Sequence, residues 1–502
     1  MLKLELSWSN VAAVAGIYAV YSVAKAIYRV TLHPLARFPG PLLAALTYKY
    51  EWYYDGFKDG QYTAVIAQMH EKYGPVVRIN PEELHCNDPA FIDTIYVSGN
   101  KRRHKSQYFL RAYGPTSALG GFATADHDHH RLRRGAVNRF FSKASITNLN
   151  PTIHDLTQRL CNKLLERSPE PFDITNAYSC FTTDVVTFYC FGQKKGFLDQ
   201  DDFVPNLRNA IIGGCKMLPT VRQWPTIFGL VQSVPEFVPL YQIITEDIRK
   251  IKDAYEEGRE KAIMEQRSIF IDILESDLPP SEKTVIRLGT EATTMISAGT
   301  ETTAWTLTVL TVYLKSQPEI LAKLTDELNR AVEDPKNLPS CAVILEGIRL
   351  SYGVATRLAR IAPDEVLVYE GTFKNPKSST ETHIKYSIPR GTPIGMSSAL
   401  MNVHPDIFPE PHEFKPERWL NADGTRRKNL EGYLLSFSKG SRQCLGMNLA
   451  YCELYIALSA LVLRVFPHLK LYETSVADVE FHHDCFVAGV RPESKGVRVV
   501  IE

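Results

Sequence analysis

The chain has 502 residues, of which 44% are hydrophobic, so a large folded core is expected and disorder is excluded. Its 57 basic and 56 acidic side chains nearly cancel, which excludes the strong positive charge typical of nucleic-acid-binding proteins. The nine cysteines, an odd number without a C-x-x-C pair, argue against both a disulfide scaffold and a zinc site.

The first element in chain order is an apolar segment, in which the nineteen residues from Leu6 to Ala24 carry no charge. As a helix they span about 29 Å, close to the ~30 Å hydrocarbon core of a bilayer. Lys25, Arg29 and Arg37 follow, and the positive-inside rule therefore places the remainder of the chain in the cytosol. A cleaved secretory signal is the alternative, but such a signal has a shorter apolar region and a more basic start.

A proline-rich segment comes next. Pro34, Pro39 and Pro41 exclude a helix there, because proline lacks the backbone N–H and clashes with the preceding turn. We predict three regions, namely a membrane anchor over 1–28, a stiff hinge over 29–47 and one catalytic domain over 48–502. No repeat, low-complexity tract or flexible linker divides that domain.

The domain alternates long helical periodicities with brief strand signals. We predict a mainly α fold with small β-sheets. The expected helices are Tyr62–Tyr73, Ile153–Arg167, Asp184–Phe191, Ile243–Gln266, Ser281–Ser316 and Glu319–Val332, and the expected strands are Val76–Ile79, Val366–Tyr369 and Val497–Ile501.

The longest predicted helix has an unusual centre, which reads Ala298-Gly299-Thr300-Glu301-Thr302-Thr303. Threonine and glycine both lower helix propensity, so an apolar helix does not gain stability from them. Two interpretations are open. The small residues mark a place where another helix packs closely, or they belong to a functional site at which the helix is locally broken.

Two further patterns lie downstream. Glu346 and Arg349 are three residues apart and so share one helix face, between apolar neighbours that predict a buried pair. The segment Phe437-Ser438-Lys439-Gly440-Ser441-Arg442-Gln443-Cys444-Leu445-Gly446 places one cysteine between two glycines and before an apolar, helix-like run. The simplest interpretation of Cys444 is a buried structural thiol. Helix N–H groups aimed at its sulfur would instead favour a thiolate.

This segment closely resembles the haem-ligating motif of cytochrome P450 monooxygenases: Phe, two residues, Gly, one residue, Arg, one residue, Cys, one residue, Gly. The resemblance implies that Cys444 binds the iron of haem b, iron protoporphyrin IX, and that its thiolate favours O–O cleavage. Phe437, Gly440 and Gly446 would shape the loop, the glycines letting the backbone come close to the macrocycle. The family fold is the mainly α fold expected above.

The same resemblance assigns roles to the other patterns. In the long helix, Ala298 and Gly299 would leave room for dioxygen, while Thr302 and Glu301 would deliver protons. Glu346 and Arg349, with Arg418 of the later segment Pro416-Glu417-Arg418-Trp419, would form a buried structural network.

Haem propionates require cationic or donor partners. The resemblance gives this role to Arg442, His130, Arg134 and Arg357, although the family more often has tryptophan where His130 stands. A basic patch of Arg131, Arg133 and Lys439 would attract an acidic electron donor. An ordinary solvated surface is the alternative for these three residues.

The implied function is oxygen insertion into a hydrophobic small molecule at the endoplasmic reticulum membrane, by a single-pass protein whose catalytic domain faces the cytosol. Electrons come from NADPH through NADPH–cytochrome P450 reductase, with cytochrome b5 as a second donor, and no nucleic acid is involved. The segments HPLARFPGP and RLARIAP resemble those of fungal family members that act in terpenoid, especially sesquiterpenoid, secondary metabolism. A polyketide, alkaloid or steroid substrate fits the sequence nearly as well. The expected substrate-facing segments are Tyr108–Phe122, Leu218–Phe237, Ser297–Thr302, Gly353–Thr356 and Cys485–Val487.

Two other functions remain open. A haem-thiolate isomerase or dehydratase would rearrange a peroxide without external electrons, although such enzymes often lose the acid–threonine pair that Glu301 and Thr302 form here. An inactive haem-binding relative is suggested by the segment Asn329–Val343, which is shorter than the usual connector before the Glu346 helix.

Overall fold

A computed structural model describes residues 8–114, 118–204, 206–227, 229, 238–258, 268–333, 341–374 and 381–502. Helices dominate these ranges, and the strands form small separate sheets. The predicted mainly α fold with small β-sheets is confirmed. The α-helices of seven or more residues are Trp8–Thr31, Tyr62–Tyr73, His127–Asn138, Asn150–Leu165, Ile174–Phe191, Arg208–Gln223, Val238–Glu256, Ile269–Glu275, Val285–Ser316, Pro318–Glu333, Ala342–Ser351 and Met447–Ala460.

Agreement with the predicted helices depends on how much of each helix is buried. Tyr62–Tyr73 has the predicted limits, whereas Ile174–Phe191 begins ten residues before the predicted start at Asp184. Nearly every side chain of this second helix is buried, so no alternation of polar and apolar residues marks where it begins. Of the predicted helix 243–266, the described part is Val238–Glu256, and 259–266 lies outside the described residues.

The largest sheet has five short strands in the order Val76–Arg78, Leu84–Cys86, Pro393–Gly395, Arg360–Ile361, His104–Lys105. Its last pair is antiparallel and places Lys105 opposite Arg360. A hairpin joins His483–Cys485 to Val487–Gly489. The other strands are Leu367–Lys374 with Glu381–Ile388, and Phe172–Asp173 with Arg498–Ile501 and Leu469–Leu471.

The helix Val285–Ser316, called the long helix below, lies at the centre of the main core. It packs against the helices Ile174–Phe191, Val238–Glu256, Ala342–Ser351 and Met447–Ala460. Its Leu307, Leu310 and Leu314 are fully buried, and each such side chain contributes about 1.5–3 kcal/mol. Thr284 caps its N-terminus by accepting from the N–H of Arg287, so the helix begins at Val285 rather than at the predicted Ser281.

The N-terminal helix Trp8–Thr31 is long and apolar enough to span a membrane, and none of that apolar stretch is buried in the fold. Met447–Val465 is also long and apolar enough, but 44% of it is buried, as in the core helix of a globular protein. After the N-terminal helix, Leu35 and Phe38 are buried, and Arg29 donates to the carbonyl of Leu46. The proline-rich segment therefore packs against the domain.

Candidate functional site

Cys444 lies in a closed loop immediately before the helix Met447–Ala460. Its backbone N–H donates to the carbonyl of Phe437 at 2.9 Å, which closes the loop, and its side chain is exposed. The surrounding protein still desolvates the sulfur and raises the pKa of the thiol. The N–H of Gly446 and the charge of Arg134 act in the opposite direction and stabilise a thiolate.

The protein structure explains why a glycine is needed at one of the two glycine positions of this loop, but not at the other. Gly440 has a φ of +73°, and a Cβ there would lie 2.3 Å from the carbonyl oxygen of Tyr96. Its small size is therefore required by the neighbouring protein backbone. Gly446 has no atom within 4 Å of a Cβ position, so nothing in the protein excludes a side chain there. Phe437 packs its ring 5.4 Å from that of Tyr451, on the helix that follows.

One face of the long helix is open. Ala298 is exposed and Thr302 is half-buried, although Thr300, Glu301 and Thr303 between and beside them are buried. The hydroxyl of Thr302 donates to the carbonyl of Ala298 at 2.8 Å. The local break that belonged to one of the two interpretations is absent, because the helix continues through this segment without interruption.

Gly299 lies on a different face and does not leave an open space. A Cβ at this position would lie 2.9 Å from a methyl group of Val186, on the helix Ile174–Phe191. The carbonyl of Thr300 accepts from Thr182, and its hydroxyl pairs with that of Thr183 at 3.0 Å. For Gly299 the structure thus shows the close helix packing that was one of the two interpretations.

Glu301 is buried and lies away from solvent. Its Oε2 is 3.3 Å from Nε of Arg208 on the helix Arg208–Gln223. Burial raises the pKa of Glu301, and the charge of Arg208 opposes this. The carboxyl group is therefore closer to a protonated state than an exposed glutamate, which suits a group that exchanges a proton.

Glu346, Arg349 and Arg418 are in contact. Arg349 forms a bidentate pair with Glu346 at 2.7 and 2.9 Å, and Nε of Arg418 binds the same carboxylate at 3.0 Å. The indole N–H of Trp419 and the backbone N–H of Lys415 also donate to Glu346. The helix that carries Glu346 and Arg349 keeps ten residues, and of the short connector before it, 334–340 lies outside the described residues.

Near Cys444 the fold gathers four basic side chains: Lys105, Arg134, Arg360 and Arg442. The charges of Arg360, Arg442 and Arg134 all lower the pKa of Lys105, after burial itself. The same surroundings lower the pKa of His130 to about 2, chiefly through burial and then through Arg442, so this imidazole is neutral. None of the four basic groups forms an ion pair with a carboxylate within the described ranges.

This cluster fits the anionic edge of a haem. Lys105 and Arg360 face each other across the sheet, and like charges directly opposite are destabilising unless an anion lies between them. Nε of Arg442 is buried without a hydrogen-bond partner. Lys105, Arg134, Arg360, Arg442 and neutral His130 could hold two carboxylates, while Cys444 supplies a sulfur ligand for iron.

The structure does not bring Arg357 to this cluster. Its guanidinium binds Glu51 at 2.6 Å and Asp55 at 2.9 Å, and all three residues are buried. Arg222 joins the same two carboxylates from the helix Arg208–Gln223. The structure therefore does not support Arg357 as a propionate contact, whereas Arg360, three residues later, belongs to the basic cluster.

Arg360 and Lys105 were missed because they lie in unremarkable basic segments. Only the pairing of their two-residue strands brings them together, and this pairing joins residues 255 positions apart. The predicted surface patch also changes. Arg133 is buried and bound to Glu282, Lys439 pairs with Asp93, and of these three residues only Arg131 is fully exposed.

Two of the segments expected to face substrate meet in an aromatic cluster. Tyr113 lies 5.5 Å from Phe122 and 6.2 Å from Phe486, measured between ring centroids. Nζ of Lys105 is 3.4 Å from the centre of the Phe122 ring, so the aromatic cluster borders the basic cluster. Within the segments expected to face substrate, 115–117, 228 and 230–237 lie outside the described residues.

Replacing Arg360 by glutamine tests the basic cluster. We expect haem loss to accelerate by roughly tenfold to a hundredfold, since a hydrogen bond to a charged group contributes roughly 1.5–3 kcal/mol. In the haem-free protein, the same substitution removes the repulsion between Arg360 and Lys105 and should therefore raise the unfolding temperature. Haem transfer to an acceptor globin and thermal unfolding of both forms measure the two effects. Arg390→Gln, at an exposed position, is the control; equal haem loss in both variants would contradict the assignment.

Comparison with known proteins agrees with this geometry. A family model described as Cytochrome P450 matches residues 39–488. Cytochrome P450 monooxygenase MO6277 of Ascocoryne sarcoides is 39% identical over 98% of this chain and 98% of its own length. Cytochrome P450 monooxygenase TRI4 of Fusarium sporotrichioides is 36% identical, over 95% and 92%. Tryptophan 6-hydroxylase fscE of Fusarium equiseti is 38% identical, over 95% and 94%.

Proposed function

The chain belongs to the cytochrome P450 family and is a haem-dependent monooxygenase, and from this premise we propose that it oxidises a sesquiterpenoid or related terpenoid in secondary metabolism. The haem site is supported by the juxtaposition of an exposed Cys444 with buried basic groups that have no acidic partner in the described part of the chain. Haem b held there supplies the activation of dioxygen. The protein supplies the sulfur ligand, the proton path and the pocket.

For proton delivery we propose the pair Thr302 and Glu301. The Thr302 hydroxyl lies on the open face of the long helix, where it can hold a water or pass a proton from it. Glu301 is buried beside Arg208 and holds a proton more readily than a solvated carboxyl group. A rotation of its side chain away from Arg208 would let it exchange that proton.

Replacing Thr302 by alanine is expected to keep the haem and the NADPH consumption but to lower product formation by about a hundredfold. The unused reducing equivalents should appear as hydrogen peroxide. Product yield per NADPH and peroxide release measure the effect. Thr294→Ala, eight residues earlier in the same helix and also bonded to the carbonyl four residues before it, is the matched control. Wild-type coupling in Thr302→Ala would refute the relay.

The substrate proposal rests on the aromatic cluster that two of the segments expected to face substrate form. Tyr113, Phe122 and Phe486 suit a hydrophobic ring system. A second candidate is an indole-containing amino acid, which the similarity of this chain to a tryptophan hydroxylase favours. A relative named tryptophan 6-hydroxylase belongs to this second class.

Co-expression with an NADPH–cytochrome P450 reductase, followed by product profiling on a panel of sesquiterpenes and on tryptophan, tests the proposal. We expect one class to yield an oxygenated product only when reductase, NADPH and substrate are all present, with cytochrome b5 tested as a second electron donor. Turnover of a hydroperoxide without NADPH would instead indicate an isomerase or dehydratase. Haem binding with no turnover on any substrate would indicate an inactive relative.

We also propose that the N-terminal helix anchors the protein in the endoplasmic reticulum membrane with the domain in the cytosol. Lys25 and Arg29 at its C-terminal end support this orientation. Protease treatment of intact microsomes should then digest the domain. Full protection until detergent is added would place it in the lumen.

A further inference from the structure

A second group of metal-ligand side chains lies in the hairpin that ends at Phe486. Asp59, His483 and Cys485 each offer one ligand atom, and these three atoms all lie within 4.8 Å of one another. His483 and Cys485 alternate on one strand and so project from the same face. Asp59 comes from a turn more than four hundred residues earlier, so spacing along the chain does not reveal the group.

The surroundings of the His483 imidazole indicate that this side chain binds a ligand. Its side chain is 6% exposed, and its Nε2 is buried without a hydrogen-bond partner. The nearest acid, Oδ2 of Asp59, is 3.7 Å away, too far for a hydrogen bond but suitable for two ligands of one ion. A buried imidazole nitrogen left unpaired costs free energy unless something binds it.

The other ring nitrogen of His483 is in the state that a metal ligand needs. Its Nδ1 lies 3.2 Å from Nδ1 of His482, so one of the two donates to the other. When His483 is the donor, its Nε2 is deprotonated and carries a lone pair that can bind a metal ion next to Asp59. An outer hydrogen bond of this kind fixes the tautomer and the ring orientation of metal-binding histidines.

The surrounding backbone is built to keep the three groups together. Gly60 follows Asp59, and a Cβ at Gly60 would lie 2.3 Å from the carbonyl oxygen of Asp484. The N–H of Asp484 donates to the carbonyl of Gly60 at 2.8 Å, which docks the turn on the hairpin. On the other side, a Cβ at Gly489 would lie 2.4 Å from Nε2 of His483.

We propose that Asp59, His483 and Cys485 bind a divalent zinc ion, with water as the fourth ligand. The mixed carboxylate, imidazole and thiolate donor set suits zinc better than calcium or magnesium, which prefer oxygen. Binding releases the proton of the Cys485 thiol. Asp484 is not a ligand, because its carboxylate accepts from Thr63 and from the N–H of Phe486.

The proposed zinc site lies next to the aromatic cluster, so metal binding would affect the position of Phe486. Phe486 directly follows Cys485, has a φ of +72° and belongs to the aromatic cluster with Tyr113 and Phe122. An ion that joins the Asp59 turn to the hairpin would hold this strained tip in place over the pocket. Lys216, whose charge reaches both His483 and Cys485, is on an exposed side chain and can turn towards solvent when the ion binds.

The test uses the haem-loaded, detergent-solubilised full chain, with a thiolate-type carbon monoxide spectrum showing that haem occupies Cys444. After dialysis against Zn²⁺ and removal of loose metal, we expect one zinc per chain by mass spectrometry. Cys485→Ser and His483→Gln should each lower the zinc affinity at least tenfold, and Zn²⁺ should raise the unfolding temperature of the wild type but not of these two variants. Cys452→Ser, a partly buried cysteine bonded to Asn150, should bind zinc like the wild type.

Zinc retained equally by Cys485→Ser, His483→Gln and Asp59→Asn would overturn the proposal, as would no retained zinc in the wild type. The carbon monoxide spectrum reports the haem site separately. The zinc result therefore stands independently of the monooxygenase activity. A variant that loses haem as well as zinc is replaced by Asp59→Asn, whose exposed side chain can change without disturbing the core.

Discussion

Cys444→Ser is expected to abolish both the thiolate-type carbon monoxide spectrum and all monooxygenase turnover. Serine keeps the size of the side chain but has a much less acidic hydroxyl, so no anionic sulfur donates electron density to the iron. Reduction in the presence of carbon monoxide, followed by absorption spectroscopy in the Soret region, measures the first effect. Product formation with reductase and NADPH measures the second, with an expected loss of at least a thousandfold.

The control for this experiment is Cys452→Ser. Cys452 lies on the helix that follows Cys444, is partly buried, and donates to the side-chain oxygen of Asn150, a hydrogen bond that serine can keep. This variant should retain the spectrum and the turnover of the wild type. If Cys444→Ser retained the thiolate-type carbon monoxide spectrum, another residue would be the axial ligand and the assignment of the site would fail.

Glu346→Gln is expected to have the largest effect on stability. The substitution removes the negative charge that Arg349 and Arg418 share, and Arg349 is completely buried. Breaking a buried pair in this way costs about 3–5 kcal/mol, because a charge is left without compensation. Such a loss is a large part of the 5–15 kcal/mol by which a typical domain is stable. The yield of folded, haem-loaded protein and urea unfolding measure it.

An exposed Glu–Arg pair with the same spacing serves as the control, because it separates the effect of burial from the effect of sequence spacing. Glu246 and Arg249 are also three residues apart on a helix and 2.7 Å from each other, but both are exposed. Glu246→Gln should cost less than about 0.5 kcal/mol, since solvent screens such pairs. Trp419→Phe, which removes one donor to Glu346 and keeps all three charges, should cost about 1 kcal/mol for the lost hydrogen bond. Equal effects in Glu246→Gln and Glu346→Gln would show that the network has no structural role.

The amino-acid sequence by itself determined the features that depend on neighbouring residues. The loop before Cys444, the helix after it and the pair Glu346–Arg349 are all local, because spacing along one turn or one helix places their groups. The mainly α fold could be predicted for the same reason, from periodicity over ten or more residues. Helix limits failed where burial on all sides removed the periodicity, as in Ile174–Phe191.

Only the tertiary structure decided which side chains meet across long separations. It placed Arg360 rather than Arg357 beside Arg442, since a two-residue strand carries too little pattern to reveal its partner. It assigned Gly299 to helix packing, because the need for a missing Cβ depends on Val186 of another helix. It also brought Asp59 to His483 and Cys485. Contacts of this kind depend on the register of distant elements, and that register is fixed by the packing of the whole core.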